Sequence, residues 1–195
     1  MTRPRTQSGL TLIEVLVSLA LLTFVMAGVA TLLLQSARAN RGNQLALSAQ
    51  ASVRNSLAMI APVLRSAGWD PRNAGIASVV LDGSGNGNFI TARADLNGDL
   101  DTLDANEDVT IRFNSGRIEW RTTSDVSQPF VTLAEDITND ADGDGTPEPM
   151  FTPDSVSAPK LIRVKITARS PVKDPRSNLY IRATDTTDIV LRRSL

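Results

Sequence analysis

The chain has 195 residues, of which 42% are apolar, and it carries a formal net charge of -1 with no cysteine and no histidine. This composition excludes disulfides, thiolate metal sites, histidine-ligated zinc and catalytic triads that need histidine. Because there is no basic excess, nucleic-acid binding through phosphate neutralisation is not indicated. Without histidine or cysteine, we also expect no enzymatic activity.

The amino terminus joins a short polar leader to a long apolar stretch. Arg3 and Arg5 precede residues 10–34, in which Glu14 is the one formal charge. At about 1.5 Å per residue, a helix over this stretch reaches roughly 37 Å, enough to cross a hydrocarbon core of about 30 Å. The two arginines predict that the leader is cytoplasmic and that the rest of the chain is exported.

Glu14 requires a partner, because a carboxylate at the centre of a bilayer costs about 2.5–3.5 kcal/mol. A cut after Gly9 would expose an ammonium on Leu10, one helical turn from Glu14. Within one helix the two charges meet awkwardly, whereas the amine of a neighbouring, staggered helix could pair with Glu14 directly. The pattern therefore favours assembly of helices into a bundle. The alternative is that Glu14 snorkels to the headgroups.

The segment Ser8-Gly-Leu-Thr-Leu-Ile-Glu-Val15 resembles the processing site of type IV prepilins and of the related type II secretion pseudopilins. The resemblance implies that a membrane prepilin peptidase cuts after Gly9 and methylates the new amino terminus on Leu10, where the family usually has phenylalanine. It also implies a single-pass inner-membrane protein with a periplasmic head. Its helix would later join the helices of other pilins or minor pilins in an extracellular filament, with Glu14 setting the register.

Helical signals continue beyond the apolar stretch. Residues 35–67 are predicted to form an amphipathic continuation of the same helix, which ends where Gly68 is followed by Pro71. Four apolar residues recur in this continuation at helical intervals, namely Val53, Leu57, Ile60 and Leu64. We expect this stripe to pack on the globular head.

Residues 68–195 are predicted to form a β-rich head. Short runs of β-branched and aromatic residues bounded by turn residues predict strands at 76–81, 89–92, 109–113, 118–121, 130–133, 161–168 and 179–191. A hairpin turn is predicted at Asn114-Ser115-Gly116. The predicted fold class is α+β: a long amino-terminal helix, transmembrane in its first half, packed on an antiparallel β-sheet. The predicted organisation is a leader (1–9), a transmembrane helix (10–34), its continuation (35–67) and the head.

Two acidic loops repeat oxygen donors at alternate positions, a spacing that can direct several carboxylates at a hard cation such as calcium. The candidate ligands are Asp95, Asn97, Asp99 and Asp101 in the first loop and Asp140, Asp142, Asp144 and Glu148 in the second. Neither loop completes the twelve-residue calcium pattern, since Asn106 and Phe151 occupy the closing positions. Gly145 stands where a calcium loop turns, which favours the second loop. The alternative is a solvated acidic turn, and no cofactor is required.

Weaker similarities to minor pilins of the PilW-like type occur at 65–69, 95–99, 133–139 and 189–195. The sequence therefore predicts a minor pilin or pilin-like subunit. A type II secretion pseudopilin is the nearest alternative, and a membrane-tethered, calcium-dependent adhesive module is a second one.

Overall fold

The computed structural model describes residues 11–81, 87–156 and 158–192. Within these ranges one long helix, α1 (Leu12–Ser66), is followed by eight strands in two antiparallel sheets. The α+β fold class is confirmed: the long apolar helix packs on antiparallel sheets in a pilin-like arrangement. The head differs from the expectation in having two sheets where the sequence suggested one.

Helix α1 has defined signals at both ends. Thr11 caps its start: its hydroxyl accepts from the Glu14 amide, and the Glu14 carboxylate accepts from the Thr11 amide, which together form a capping box. Gly68 follows the end of the helix with φ +82°, a conformation that glycine adopts without strain. The helix is continuous through Pro62.

The first sheet has the strand order β1-β2-β3-β4-β5. Its strands are β1 (Val79–Leu81), β2 (Phe89–Arg93), β3 (Asp108–Asn114), β4 (Arg117–Arg121) and β5 (Val131–Ala134). The predicted hairpin joins β3 to β4. Asn114 pairs with Arg117, and Ser115 and Gly116 form the two-residue turn with φ +49° and +82°. Positive φ at both central residues is the geometry of a type I′ turn.

The second sheet has the order β6-β7-β8, formed by β6 (Phe151–Pro153), β7 (Leu161–Arg169) and β8 (Arg182–Val190). Strand β6 was not predicted, because it is three residues long and ends in a proline. The last predicted strand begins later than expected, at Arg182. The residues before it belong to the β7–β8 loop, which contains a turn at 175–177.

The core lies between the outer part of α1 and the two sheets. All four residues of the predicted stripe are buried, and the buried face of α1 begins at Leu45. Helix α1 contacts β8 and β7 most extensively, and β2 and β5 to a smaller extent. The largest buried side chains of the sheets that join this core are Ile90, Ile111, Ile118, Met150, Phe151, Ile162, Ile166 and Ile189.

The inner part of α1 projects away from this core. Every residue from 12 to 38 is exposed, and burial becomes regular only from Leu45. The predicted boundary at residue 34 marks a change in composition. The β7–β8 loop already approaches the helix there: Pro175 and Arg176 line a cleft with residues 32–39, and an added Cβ on Gly42 would lie 3.0 Å from the Asp174 carboxylate. Residues 35–44 therefore lie beside the β7–β8 loop, between the apolar part of the helix and the part that packs into the core.

Candidate functional site

The apolar part of α1 is the largest uncovered apolar surface of the described chain. Its side chains include Leu12 at 81% exposure and Phe24 at 84%. By length and composition the helix is able to cross a membrane. Exposing such a surface to water is unfavourable, and apolar patches of this size mark membrane or protein interfaces. Lipid or neighbouring helices must therefore cover residues 12–34.

Two hydroxyl groups within this apolar segment are satisfied inside the helix. The hydroxyl of Thr23 donates to the carbonyl of Ala20 at 2.8 Å, and that of Thr31 donates to the carbonyl of Gly28 at 2.7 Å. Such internal bonds suit a helix in lipid, where unsatisfied polar groups cost several kcal/mol. Glu14 then remains as the one ionisable side chain of the segment.

Glu14 is partly engaged by the start of its own helix. Its Oε2 accepts from the backbone amide of Thr11 at 3.0 Å and from the Thr11 hydroxyl at 2.9 Å. Its Oε1 forms no hydrogen bond to a described residue. One carboxylate oxygen therefore organises the helix start, and the other is free to accept from a positive group outside it. Gly9 and Leu10, the predicted cleavage and methylation positions, lie outside the described residues.

The first acidic loop joins β2 to β3 and is organised around Asp95. This buried carboxylate accepts from the amides of Gly98 at 2.5 Å, Asp99 at 3.1 Å and Leu100 at 3.1 Å. Its own amide donates to the carbonyl of Trp69 at 2.8 Å, just beyond the end of α1. Asp95 thus shapes the loop and ties it to the helix end, and it does not join the carboxylate cluster described next.

Three carboxylates meet in this loop. One oxygen from each of Asp99, Asp101 and Glu107 lies within 4.8 Å of the others. The side-chain amide of Asn97 donates to the Asp99 carboxylate at 3.0 Å and to the Asp104 carboxylate at 2.6 Å. Asn97 therefore supports the cluster from one side. The Asn97 side chain and the Asp101 amide donate to Asp99 and lower the pKa of that carboxyl, which keeps it ionised.

Glu107 was missed by the sequence analysis. The twelve-residue pattern placed the closing ligand at Asn106, whereas the carboxylate in the cluster comes from the next residue, which directly precedes β3. Asn106 has φ +71°, and its amide donates to the carbonyl of Thr122, so the chain turns two residues before β3 begins. An acidic residue directly before a β-strand was the available signal.

The second acidic loop, between β5 and β6, also gathers three carboxylates, from Asp140, Asp142 and Asp144. Asp140 is buried, which opposes its ionisation. The amides of Gly143 and Gly145 and the charge of Arg182 outweigh that effect and lower the pKa of its carboxyl. A guanidinium nitrogen of Arg182 lies 3.4 Å from the Asp140 carboxylate.

Glu148 was predicted with the second loop, but it is not part of this cluster. Its carboxylate forms an ion pair with Lys165 on β7. Asp142 and Asp144 are exposed and accept from backbone amides two residues further on. The second loop is therefore an ordinary acidic turn whose buried carboxylate is balanced by Arg182 of β8.

Comparison with protein families matches residues 4–30 to the prokaryotic N-terminal methylation motif. The matched region contains the predicted processing junction, Glu14 and most of the apolar segment, and it does not extend to the head. No curated protein and no solved structure matches the chain. The motif supports a class III signal of the type IV pilin kind, and hence a pilin-like or pseudopilin protein.

Proposed function

We propose that this protein is a minor pilin or pilin-like structural subunit of a type IV pilus, assembled through α1. The observation that carries the proposal is an exposed apolar helix segment whose one ionisable side chain, Glu14, lies within a matched N-terminal methylation motif. The chain lacks cysteine and histidine, so we assign it no catalytic role.

Before assembly the protein is held in the inner membrane by residues 10–34, with the head in the periplasm. The prepilin peptidase cuts after Gly9 and methylates the amino group of Leu10. This step removes Arg3 and Arg5, the cationic residues before the span, and creates a single cation at the end of the helix. The mature subunit can then leave the bilayer lengthwise, because no basic segment holds it on the cytoplasmic side.

In the filament the apolar segments form the core and the heads face outward. The Oε1 of Glu14, which is free of described partners, accepts from the terminal ammonium of an adjacent subunit. Pairing removes the cost of two isolated charges in an apolar medium, and it fixes the axial position of one helix against the next. The partners are other pilins or minor pilins, and the interaction is mechanical.

A type II secretion pseudopilin would use the same helix chemistry, and the methylation motif supports it equally. The two differ in where the assembled protein is found. A pilus subunit appears in filaments sheared from the cell surface, whereas a pseudopilin stays in the envelope. We place the pilus first because the weak similarities in the head are to minor pilins.

The test is a pair of substitutions at one position. Glu14→Gln keeps an oxygen that can accept from the Thr11 amide but removes the charge, and Glu14→Ala removes both. Ser18→Ala, one turn further along the exposed helix, is the control. We expect all three proteins to be cut so that Leu10 is the first residue, by mass spectrometry of the membrane form. Both Glu14 variants should reach sheared filaments at levels lower by about tenfold or more.

Three results would contradict the proposal. A mature protein that begins at a residue other than Leu10 would show that the proposed cleavage does not occur. Normal incorporation of Glu14→Gln into filaments would show that assembly does not need the charge pairing. If Glu14→Ala remains anchored and retains surface binding without any filament, the helix is only a tether and the adhesive-module alternative is correct.

A further inference from the structure

We propose that the β2–β3 loop binds one calcium ion through Asp99, Asp101 and Glu107. This site is separate from the helix and does not depend on the proposed function. The sequence alone favoured the other acidic loop, and the structure reverses that order. The reversal depends on a buried glutamate that the spacing pattern missed.

Glu107 is 2% exposed, and its two carboxylate oxygens have different surroundings. Oε1 accepts from the amides of Leu96 at 2.7 Å and Asn97 at 3.1 Å. Oε2 is buried and has no hydrogen-bond partner among the described residues. A buried carboxylate oxygen without a partner is costly, and a cation at the cluster would supply the missing partner.

The neighbouring carboxylates have no internal cation to balance them. In the described part of the chain, no ion pair within 4.0 Å involves Asp99, Asp101 or Glu107. Arg72 lies beside Gly98, where an added Cβ would be 3.8 Å from its Nε. Three carboxylates with mutual oxygen distances below 4.8 Å therefore repel one another unless an external cation joins them.

The second loop lacks both features. The Asp140 oxygens accept from two backbone amides, and Arg182 lies beside one of them. The guanidinium also packs against Gly143, where an added Cβ would lie 2.7 Å from its Nη1. A calcium ion there would have to displace a side chain that already neutralises the site.

The donor chemistry points to calcium among the common metals. All three side chains offer hard oxygen ligands, and the chain has no histidine or cysteine to favour zinc. Calcium accepts six to eight oxygens in a loose geometry, so backbone carbonyls and water can complete its shell in a loop of this kind. An exported head would also meet calcium at higher concentration than a cytoplasmic protein.

Calcium at this site would affect more than the loop. The Glu107 carbonyl accepts from the Ala94 amide at 2.9 Å, and the next amide, of Asp95, donates to Trp69 beyond the end of α1. The ring of Trp69 in turn stacks under the guanidinium of Arg192, with 3.7 Å from Cζ to the ring centroid. The ion would thus stabilise the contact between the first sheet, the helix end and the segment after β8.

The experiment uses the full chain purified in detergent and stripped of metal with a chelator. Bound calcium is counted by equilibrium dialysis, and thermal unfolding of the head is followed while calcium chloride is added. Glu107→Gln keeps an acceptor for Leu96 and Asn97, and Asp101→Asn keeps the acceptor that Leu103 uses. Asp144→Asn in the second loop is the matched control.

We expect one calcium per chain, with a dissociation constant in the range of extracellular sites, about 10⁻⁴–10⁻³ M. Glu107→Gln and Asp101→Asn should each weaken binding by about tenfold or more and remove the calcium-dependent rise in melting temperature, because each removes a charged ligand. Asp144→Asn should bind as the parent protein does.

The proposal is overturned if saturating calcium leaves the parent protein's melting temperature unchanged, or if Asp144→Asn abolishes binding while Asp101→Asn does not. Should Glu107→Gln fail to fold, Asp101→Asn decides, because Asp101 is exposed and its replacement leaves the core intact. Magnesium chloride at equal concentration should produce a smaller shift, since magnesium requires a tighter octahedral shell.

Discussion

The inner and outer parts of α1 have the same secondary structure and opposite surroundings. Residues 12–38 are exposed along the whole circumference of the helix, whereas the stripe from Leu45 to Leu64 is buried against the head. Most large apolar residues of the outer part lie on the buried face, with Leu47 and Met59 exposed, while those of the inner part surround the helix. This difference shows that the helix serves two interfaces, one made within the chain and one that another molecule must supply.

The comparison also separates stability from assembly. Side chains of the outer part contribute to the free energy of unfolding of the head, because unfolding exposes them. Side chains of the inner part are exposed in the described structure, and the β7–β8 loop lies beside them only from about Leu32 onward. Substitutions that do not face this loop should therefore leave that free energy unchanged. They should act only on retention in the membrane and on incorporation into a filament.

The largest expected effect comes from a matched pair of core and span substitutions. Ile60 is fully buried and Leu33 is 66% exposed. We expect Ile60→Ala to lower the free energy of unfolding of the head by about 2–5 kcal/mol, measured by chemical denaturation in detergent, because it leaves a cavity. Leu33→Ala should leave it within about 0.5 kcal/mol of the parent protein. Equal destabilisation by both would show that the inner part also packs on the head.

A second pair compares two glycines. At Gly68, φ is +82° and an added Cβ would lie 2.8 Å from the Ser78 Cβ and overlap the carbonyl oxygen of Arg192. Gly68→Ala should therefore destabilise the head by about 1–3 kcal/mol in the same denaturation experiment. At Gly28 an added Cβ meets nothing within 4 Å, so Gly28→Ala should leave the head unchanged. If Gly28→Ala destabilises the head, the inner part of α1 also contributes to the stability of the head, against our prediction.

The smallest effect is a difference in acid sensitivity. Amides of Ala74, Ile76 and Gly75 donate to Asp70 and lower the pKa of its carboxyl, and those of Lys160 and Leu161 do the same for Asp154. A lowered pKa adds stability that is fully present above the unfolded-state pKa of about 3.9 and is lost as the pH falls through the folded-state value.

The melting temperature of the head should therefore decline as the pH falls below about 4. The helical signal of residues 12–44, which contain Glu14 as their one acidic residue, should be retained in detergent over the same range. Circular dichroism and the fluorescence of the two tryptophans, both in the head, report the two parts separately. Parallel loss of both signals would contradict the distinction.

Much of this architecture could be predicted from periodicity. The stripe of α1, the type I′ turn and most strands follow from patterns that span few residues, so local sequence specifies them. Strand β6 was missed because Phe151–Pro153 is too short to show alternation and exists through its pairing with β7. The division into two sheets depends on contacts between distant segments, which no local pattern contains.

The carboxylate cluster of the first loop contains only two of the four ligands that the sequence predicted there. Asp99 and Asp101 join the cluster, whereas the Asp95 carboxylate accepts hydrogen bonds from backbone amides of its own turn. Glu107 enters because Asn106 adopts a left-handed conformation, which a spacing rule cannot anticipate. The sequence also contained no sign that Arg182, which is distant along the chain, lies 3.4 Å from the Asp140 carboxylate of the second loop.

The burial of the α1 stripe by β7 and β8 has a consequence for biogenesis. The stripe ends at Leu64, but its principal cover lies at residues 161–190, so roughly a hundred further residues must be translated and translocated before the core can close. In the proposed inner-membrane orientation, the helix is meanwhile already anchored and its apolar face is open to the periplasm. Contacts between such distant segments form slowly and leave the nascent polypeptide prone to aggregation. A holdase chaperone that shields this face during export would therefore raise the yield of folded protein.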